Sequence, residues 1–180
     1  VRDLFALSSD YDVTDKATQM FFADTQNKLL FAITHKTAAE LIVSRANENQ
    51  PNMALKSWKG SVVRKQDIYI AKNYLTEDEL DSLNRFVTVF LETAELRAKN
   101  RQDITMDFWR ENIDRIIEFN DKKLLSHKGT VSNAQMKKMV EAMYEAFNGK
   151  RKTLEAIDAD GQDLNELEQL EESIKSRKPT

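Results

Sequence analysis

The sequence predicts an all-α protein, a single helical domain of five to seven helices with a C-terminal appendage that is helical or frayed. Three observations support this class. The 180 residues contain only 4 Gly and 2 Pro, whereas sheet proteins need many turns and therefore many such residues. Apolar residues recur at helical spacing through most of the chain. Three Ser or Thr residues each precede a Glu or Gln by three positions, which is the pattern of a capping box at a helix start.

The first long helix is predicted from Thr14 or Asp15, either of which can cap it, to about Ile33. Its last turns, residues 29–33, are apolar on every side and should be buried all round. The residues before it are expected to form the end of a helix and then a turn, with apolar positions at Val1, Leu4, Phe5 and Leu7.

The capping boxes mark three further helix starts: Thr37 with Glu40, Thr76 with Glu79, and Ser132 with Gln135. The helix after Thr76 should run to about Lys99, because its apolar residues alternate at spacings of three and four. Another helix is predicted from Thr105 to a stop at Gly129. The last should close at Asn148 and Gly149.

Two stretches depart from this regular pattern. Residues 48–65 are the one long irregular segment of the body, and a short helix is expected to follow over 66–74. Residues 150–180 contain no aromatic residue and are mostly acidic after a basic trio, so we divide the chain into a helical domain, 1–149, and a charged tail that could form one amphipathic helix.

Composition excludes several classes of function. The formal net charge of −3 is too small to imply general attraction to nucleic acid or acidic membranes. The absence of cysteine excludes disulfides and thiolate metal sites and suits a reducing compartment. No apolar run approaches the roughly 20 residues of a membrane span. We therefore expect a cytoplasmic protein without membrane association, and the start at Val1 suggests a fragment or processed chain.

Recognisable catalytic and metal-binding motifs are missing from the sequence. The two histidines, His35 and His127, have no second histidine at helical spacing, and the acidic run after Asp158 does not match a calcium-binding loop. Glycine-rich phosphate loops are absent as well. The sequence thus predicts no catalytic motif, no metal and no cofactor.

Two groups of side chains remain candidates for a functional site. The most apolar stretch of the sequence, residues 21–59, is interrupted by uncharged polar and charged residues: Gln26, Asn27, Lys28, Thr37, Glu40, Arg45 and Asn52. These side chains could either hold the adjoining loop in place or line a pocket beneath the 48–65 segment. The second group is a basic segment with one tryptophan: Lys56, Trp58, Lys59, Arg64, Lys65 and Lys72. This segment could contact nucleic acid, although burial of the Trp58 indole in the core is the simpler alternative.

Several motifs in order resemble one known family. FFADTQNKLLFAITHKTAAELIVSRA, then PNMALKSWKG, then DIYIAKNYLTEDELDSLNRFVTVFLETAELRA are similar to the virulence-associated RhuM family, whose usual patterns include FFATVQNKL, PNMGLTxWK and EELxxLNRIV. The resemblance covers about residues 8–147. The chain departs from the family pattern at Val13, where the family has Pro, at Asn47, where it has Asp, and at Ala54, where it has Gly.

The resemblance implies a protein of bacterial pathogenicity islands and mobile elements whose biochemical activity is not established. It also implies a DNA-associated parent protein, since family members carry an upstream domain similar to phage-antirepressor DNA-binding modules, which we expect this chain to lack. The HPFxxGN(G/K)R motif of Fic-type AMP transfer is not found here.

Three hypotheses follow. The first is a non-enzymatic regulatory or interaction module, with a homo-oligomer or another protein as its partner. The second is an enzyme with a polar pocket under the 48–65 segment. The third is nucleic-acid contact through residues 56–72.

Overall fold

The computed structural model describes residue 6, residues 8–12 and residues 14–176. These residues form five α-helices: α1 (Lys16–Thr34), α2 (Ala38–Arg45), α3 (Glu77–Lys99), α4 (Met106–Phe119) and α5 (Asn133–Ser176). Three short 3-10 helices lie in the connection from α2 to α3: Pro51–Ala54, Asp67–Tyr69 and Ala71–Tyr74. The all-α class is confirmed, and no strand occurs in the part of the chain that is described. The helical end predicted around Val1, Leu4, Phe5 and Leu7 lies outside the described residues.

The predicted helix starts are confirmed at the level of hydrogen bonds. The Asp15 carboxylate accepts from the backbone N–H groups of Ala17 and Thr18 at the start of α1. All three capping boxes form, with reciprocal bonds between the two members of each pair: Thr37 with Glu40, Thr76 with Glu79, and Ser132 with Gln135. Short-range chemistry at these positions is sufficient to start a helix, because each box satisfies two otherwise unpaired N–H groups.

The end predicted for α4 is wrong. The helix stops at Phe119 instead of Gly129, because Asp121 takes a left-handed conformation with φ of 55°. The N–H of Asp121 then donates to the Glu118 carbonyl, and the N–H of Lys122 donates to the Ile117 carbonyl. This is a Schellman ending, and Asn and Asp tolerate its left-handed residue better than most side chains.

The end predicted for the last helix is also wrong, because α5 continues through Gly149 to Ser176. A glycine inside a helix costs only about 1 kcal/mol. The surrounding side chains support continuation: Arg151 donates to the Asn148 side chain at 2.7 Å and to Glu155 at 3.2 Å. The tail predicted as helical or frayed is therefore helical as far as the described residues extend.

The core consists of two clusters of buried side chains on either side of α1. The first joins α2, the connection to α3 and the start of α5, with Ile42, Met53, Ile68, Tyr74 and Val140 almost fully buried. The second joins α1, α3 and α4: Leu29, Ala32, Phe86, Phe90, Ala94, Met106, Trp109, Ile113 and Ile117. Consecutive residues of α1 face different clusters, since Leu30 belongs to the first and Leu29 to the second. Helix α1 thereby links the two.

The irregular connection between α2 and α3 is firmly held. The single short helix expected over 66–74 is replaced by two 3-10 helices. Asn73 fixes this region, because its carbonyl accepts from the N–H of Lys56 at 2.7 Å and its side chain donates to the Asp67 carbonyl at 3.0 Å. The Tyr74 hydroxyl donates to the Ile68 carbonyl. These bonds satisfy polar groups that the apolar surroundings would otherwise leave unpaired.

Among the described residues, no helix is both long enough and apolar enough to cross a bilayer.

Candidate functional site

Helix α2 is short and is held at both ends by side chains of the predicted polar cluster. At its N-terminus, the side-chain amide oxygen of Asn27, Oδ1, accepts from the backbone N–H of Ala38 at 2.9 Å. Thr37 and Glu40 form the capping box around the same turn. The first turn of a helix offers N–H groups that have no partner inside the helix, and these side chains supply the missing acceptors.

Glu40 also joins α2 to the segment that follows α4. One carboxylate oxygen accepts from the N–H and hydroxyl of Thr37, at 2.9 and 2.8 Å. The other accepts from the N–H and hydroxyl of Thr130, at 2.6 and 2.8 Å. Desolvation acts to raise the pKa of Glu40, but these hydrogen bonds from Thr130 and Thr37 outweigh it and lower the pKa to about 2. Glu40 is therefore ionised near neutral pH and fully engaged in structural bonds.

At the C-terminus of α2, Arg45 forms a two-pronged ion pair with Glu79. The two terminal guanidinium nitrogens each donate to one carboxylate oxygen of Glu79 at 2.6 Å, and Nη1 also donates to the backbone carbonyl of Tyr74. Hydrogen bonding to Glu79 raises the pKa of Arg45, and the same contact lowers the pKa of Glu79. Both side chains are largely buried, with 27% and 20% of their surface exposed. Glu79 thus caps α3 and anchors α2 at once.

The remaining members of the polar cluster lie elsewhere. Lys28 contacts Asp24 at 3.3 Å and Asp114 at 2.9 Å, which ties α1 to α4. Gln26 is exposed on α1. Asn52 lies in the connection between α2 and α3, where it starts a run of left-handed residues. The structure therefore brings Asn27, Thr37 and Glu40 together and places the others apart.

Members of this cluster line different surface depressions of the described residues. Gln26 lines a groove of about 530 Å³ between α1, α3 and the Ala71–Tyr74 turn. Glu40 lines an open depression of about 320 Å³ with His35 and His127. Asn52 lines one of about 470 Å³ beside α5. An enzyme that used the cluster as one site would need these side chains at a common cavity, and the geometry separates them.

The two histidines pack against the same aromatic ring. His35 and His127 both pack edge-on against Phe31, with ring centroids 6.1 and 5.5 Å from its centroid. No group of three or more His, Asp or Glu side chains in the described residues is arranged to hold a metal ion.

The basic side chains of the predicted segment are exposed, but its members differ in whether they already have a partner. Lys56, Lys59, Arg64 and Lys72 are exposed and have no ion pair among the described residues. Lys65 differs because it pairs with Glu141 of α5. The Trp58 indole is half-buried and packs against the first core cluster. Four cations are therefore available on this surface, whereas the indole is engaged in packing.

The partner of Glu40 in the segment after α4 is not apparent from the sequence. Gly129 and Thr130 lie directly over the first turn of α2, and Gly129 has a positive φ of 82°. A side chain at this position would meet Thr37, since a Cβ would lie 2.9 Å from the threonine Oγ1. The glycine is the signal in the sequence: it does not stop a helix, but it marks a close approach between two segments.

Comparisons with known proteins place the chain in a family. No curated protein and no solved structure matches it. The model of the Virulence protein RhuM family matches residues 1–155, a span that includes every motif on which the resemblance depended as well as α1 to α4 and the first half of α5. The chain therefore belongs to the virulence protein RhuM family.

Proposed function

We propose that this chain is a non-enzymatic regulatory or interaction module of a virulence-associated protein carried on mobile elements. The proposal is supported by the contrast between polar side chains that make structural contacts and large apolar side chains that are exposed. Polar groups that could have formed a reactive site hold α2 in place, as Asn27, Glu40 and Arg45 do. Large apolar side chains are instead exposed along the second half of α5, where Leu154 and Leu164 are 62% and 63% exposed. Exposed apolar patches on proteins often mark interaction surfaces.

We further propose that the module acts in the cytoplasm, within a parent protein that contacts DNA through another domain. The absence of cysteine suits a reducing compartment. The family resemblance supplies the DNA association, and the acidic balance of the chain suits a part that binds protein instead.

A bacterial two-hybrid experiment tests this function, with the chain as bait against itself and against a library of bacterial proteins. We expect interactions that disappear when Leu154, Ile157 and Leu164 are replaced by Ser. A second bait, with Lys56, Lys59, Arg64 and Lys72 replaced by Ala, should keep them. Interactions that survive the serine changes, or none with either bait, would contradict the proposal.

A second candidate function is nucleic-acid contact through the basic segment, and the four exposed cations without ion pairs favour it. If each met a phosphate, the logarithm of the binding constant for duplex DNA would fall with the logarithm of salt concentration with a slope of about −3 to −4. The fourfold alanine variant should then bind far more weakly. Undetectable binding by the unmodified chain at low salt would exclude this candidate.

A further inference from the structure

The second half of α5 leaves large apolar side chains exposed. Every described residue from Lys152 to Leu167 is exposed, apart from the intermediate Gly161. Four large apolar residues occur in this segment at 59–63% exposure: Leu154, Ile157, Leu164 and Leu167. A single helix has little stability in water without tertiary packing, so a partner on this face would stabilise the segment.

Four residues of this segment follow the spacing of a helix that packs along another helix. Leu154, Ile157, Gly161 and Leu164 succeed one another at intervals of three, four and three positions, which is the a and d pattern of a heptad. At 100° per residue they fall within an arc of about 80°, and we call this surface the apolar stripe. The stripe fits a partner that is itself a helix with an apolar face.

The charge beside the apolar stripe is wholly acidic. From residue 153 to residue 167 the chain has five acidic residues and no basic one. Asp158 and Asp160 border the stripe on its two sides, each about 80° from its centre. In paired helices, residues at these flanking positions face the partner and decide which partner is accepted. Neither aspartate has an ion pair among the described residues.

The sign of this charge decides between possible occupants. Covering the stripe would bring Asp158 and Asp160 to the edge of a contact, where a carboxylate that loses water needs a cation beside it. The same segment of a second copy would supply only further acids, and nucleic acid or an anionic membrane would be repelled. A helix with an apolar stripe bordered by Lys or Arg supplies both the apolar surface and the missing cations.

The stripe also adjoins the helical domain. Leu154 lines a depression of about 470 Å³ together with Phe147 and Glu48. Two bases line it as well, Lys150 and Arg151, but both already donate to side chains of their own chain. A partner helix that lies on the stripe could therefore end against the domain, where apolar and acidic side chains are again combined.

We propose that the apolar stripe of α5 binds a basic amphipathic helix of another protein. The apolar face of that helix packs on Leu154, Ile157 and Leu164, and its Lys or Arg side chains meet Asp158 and Asp160. The inference rests on the proposed interaction function and names the chemistry of the partner.

Fluorescence anisotropy tests the charge of the partner with two synthetic peptides of about three heptads. Both have Leu at the a and d positions, and the flanking e and g positions carry Lys in one peptide and Glu in the other. The full chain should bind the lysine peptide at least about tenfold more tightly than the glutamate peptide, and less tightly as salt is added. The double change Asp158→Lys and Asp160→Lys should reverse this preference. Glu92→Lys with Glu95→Lys, on the exposed surface of α3, is the matched control and should leave it unchanged.

A second pair of variants tests the apolar part of the contact. Leu164→Ser should weaken binding of the lysine peptide at least about tenfold, whereas Leu96→Ser should not, since Leu96 is 61% exposed on α3 outside the stripe. Equal binding of the two peptides, equal effects of the charge changes on α5 and α3, or an unaltered affinity after Leu164→Ser would overturn the proposal. The interaction function would survive that result if the serine changes on α5 still abolished two-hybrid contacts with other proteins.

Discussion

At the scale of single residues, one departure from the family pattern falls at a position where the backbone conformation favours glycine. Asn52, Met53 and Ala54 are three consecutive left-handed residues, with φ of 53°, 56° and 63°. A left-handed conformation costs a residue with a Cβ roughly 1–2 kcal/mol. The turn places Met53 in the first core cluster with no exposed surface. The family pattern has Gly at position 54, which avoids this cost, and this chain has Ala.

Replacing Ala54 by Gly should therefore stabilise the protein by about 1 kcal/mol. Ala23→Gly is the control, because Ala23 is exposed within α1, where glycine costs about 1 kcal/mol. Urea unfolding should show free-energy changes of opposite sign for the two substitutions. A loss of stability in both variants would show that position 54 is not left-handed.

Glu40 should make stability depend on acid pH. Its pKa lies at about 2 in the folded chain, below the ordinary value of 4.5, so its contribution is complete above about pH 4.5 and disappears as the pH falls towards 2. Glu40→Gln should cost about 1–3 kcal/mol at pH 7, because one of the two bridged segments loses its acceptor. Urea unfolding at pH 7 and pH 3 should show this difference shrinking at the lower pH. Glu95→Gln, exposed on α3, should change little at either pH.

At the scale of elements, α2 shows how a short helix can be held rigidly in place. Its eight residues are too few for stability in isolation. The N-terminus is fixed by α1 and by the segment after α4, and the C-terminus by α3. Its apolar residues Leu41 and Ile42 are buried in the first core cluster. Three parts of the chain thus meet on one short helix.

Gly129→Ala should disrupt the contact between α2 and the segment after α4. The substitution combines an unfavourable φ with a collision against Thr37, and we expect a loss of about 1–3 kcal/mol. Gly149→Ala is the matched control, because this glycine lies inside α5 with no atom within 4 Å of a Cβ. It should gain up to about 1 kcal/mol. Thermal unfolding that moved both variants in the same direction would contradict the contact.

The Arg45–Glu79 pair should show measurable coupling. A double-mutant cycle with Arg45→Gln and Glu79→Gln should give an interaction energy of about 1–2 kcal/mol, because the paired charges are largely shielded from water. The exposed pair Arg85–Asp81 on α3 provides the comparison and should give much less. Equal coupling energies in urea unfolding would mean that burial does not strengthen the first pair.

At the scale of the whole molecule, the two core clusters should unfold together because α1 contributes to both. Leu29→Ala and Leu30→Ala remove buried side chains from different clusters, and each should cost about 2–5 kcal/mol. Near- and far-ultraviolet circular dichroism should give one coincident transition for each variant. Separate transitions in either variant would show that the clusters are independent.

Much of the fold was predictable from local chemistry. The start of α1 at Asp15 and the three capping boxes each depend on residues within four positions of one another, so the sequence specified them directly. The ends were harder, because Asp121 and Gly149 show that the residue type alone does not decide where a helix stops. The candidate site was only partly predictable: Asn27, Thr37 and Glu40 meet as neighbours, whereas the partners of Glu40 and Arg45 come from 90 and 34 positions away.

The sequence by itself determined the helical class, the helix starts, the identity of the apolar faces and the family to which the chain belongs. Each of these depends on composition, on spacing within a few turns or on ordered motifs. Only the tertiary structure decided which polar side chains meet, that Gly129 lies against the first turn of α2, and that Leu154 and Leu164 of α5 are exposed outside the core. Those outcomes depend on contacts between distant segments, and local propensities do not contain the positions of such partners.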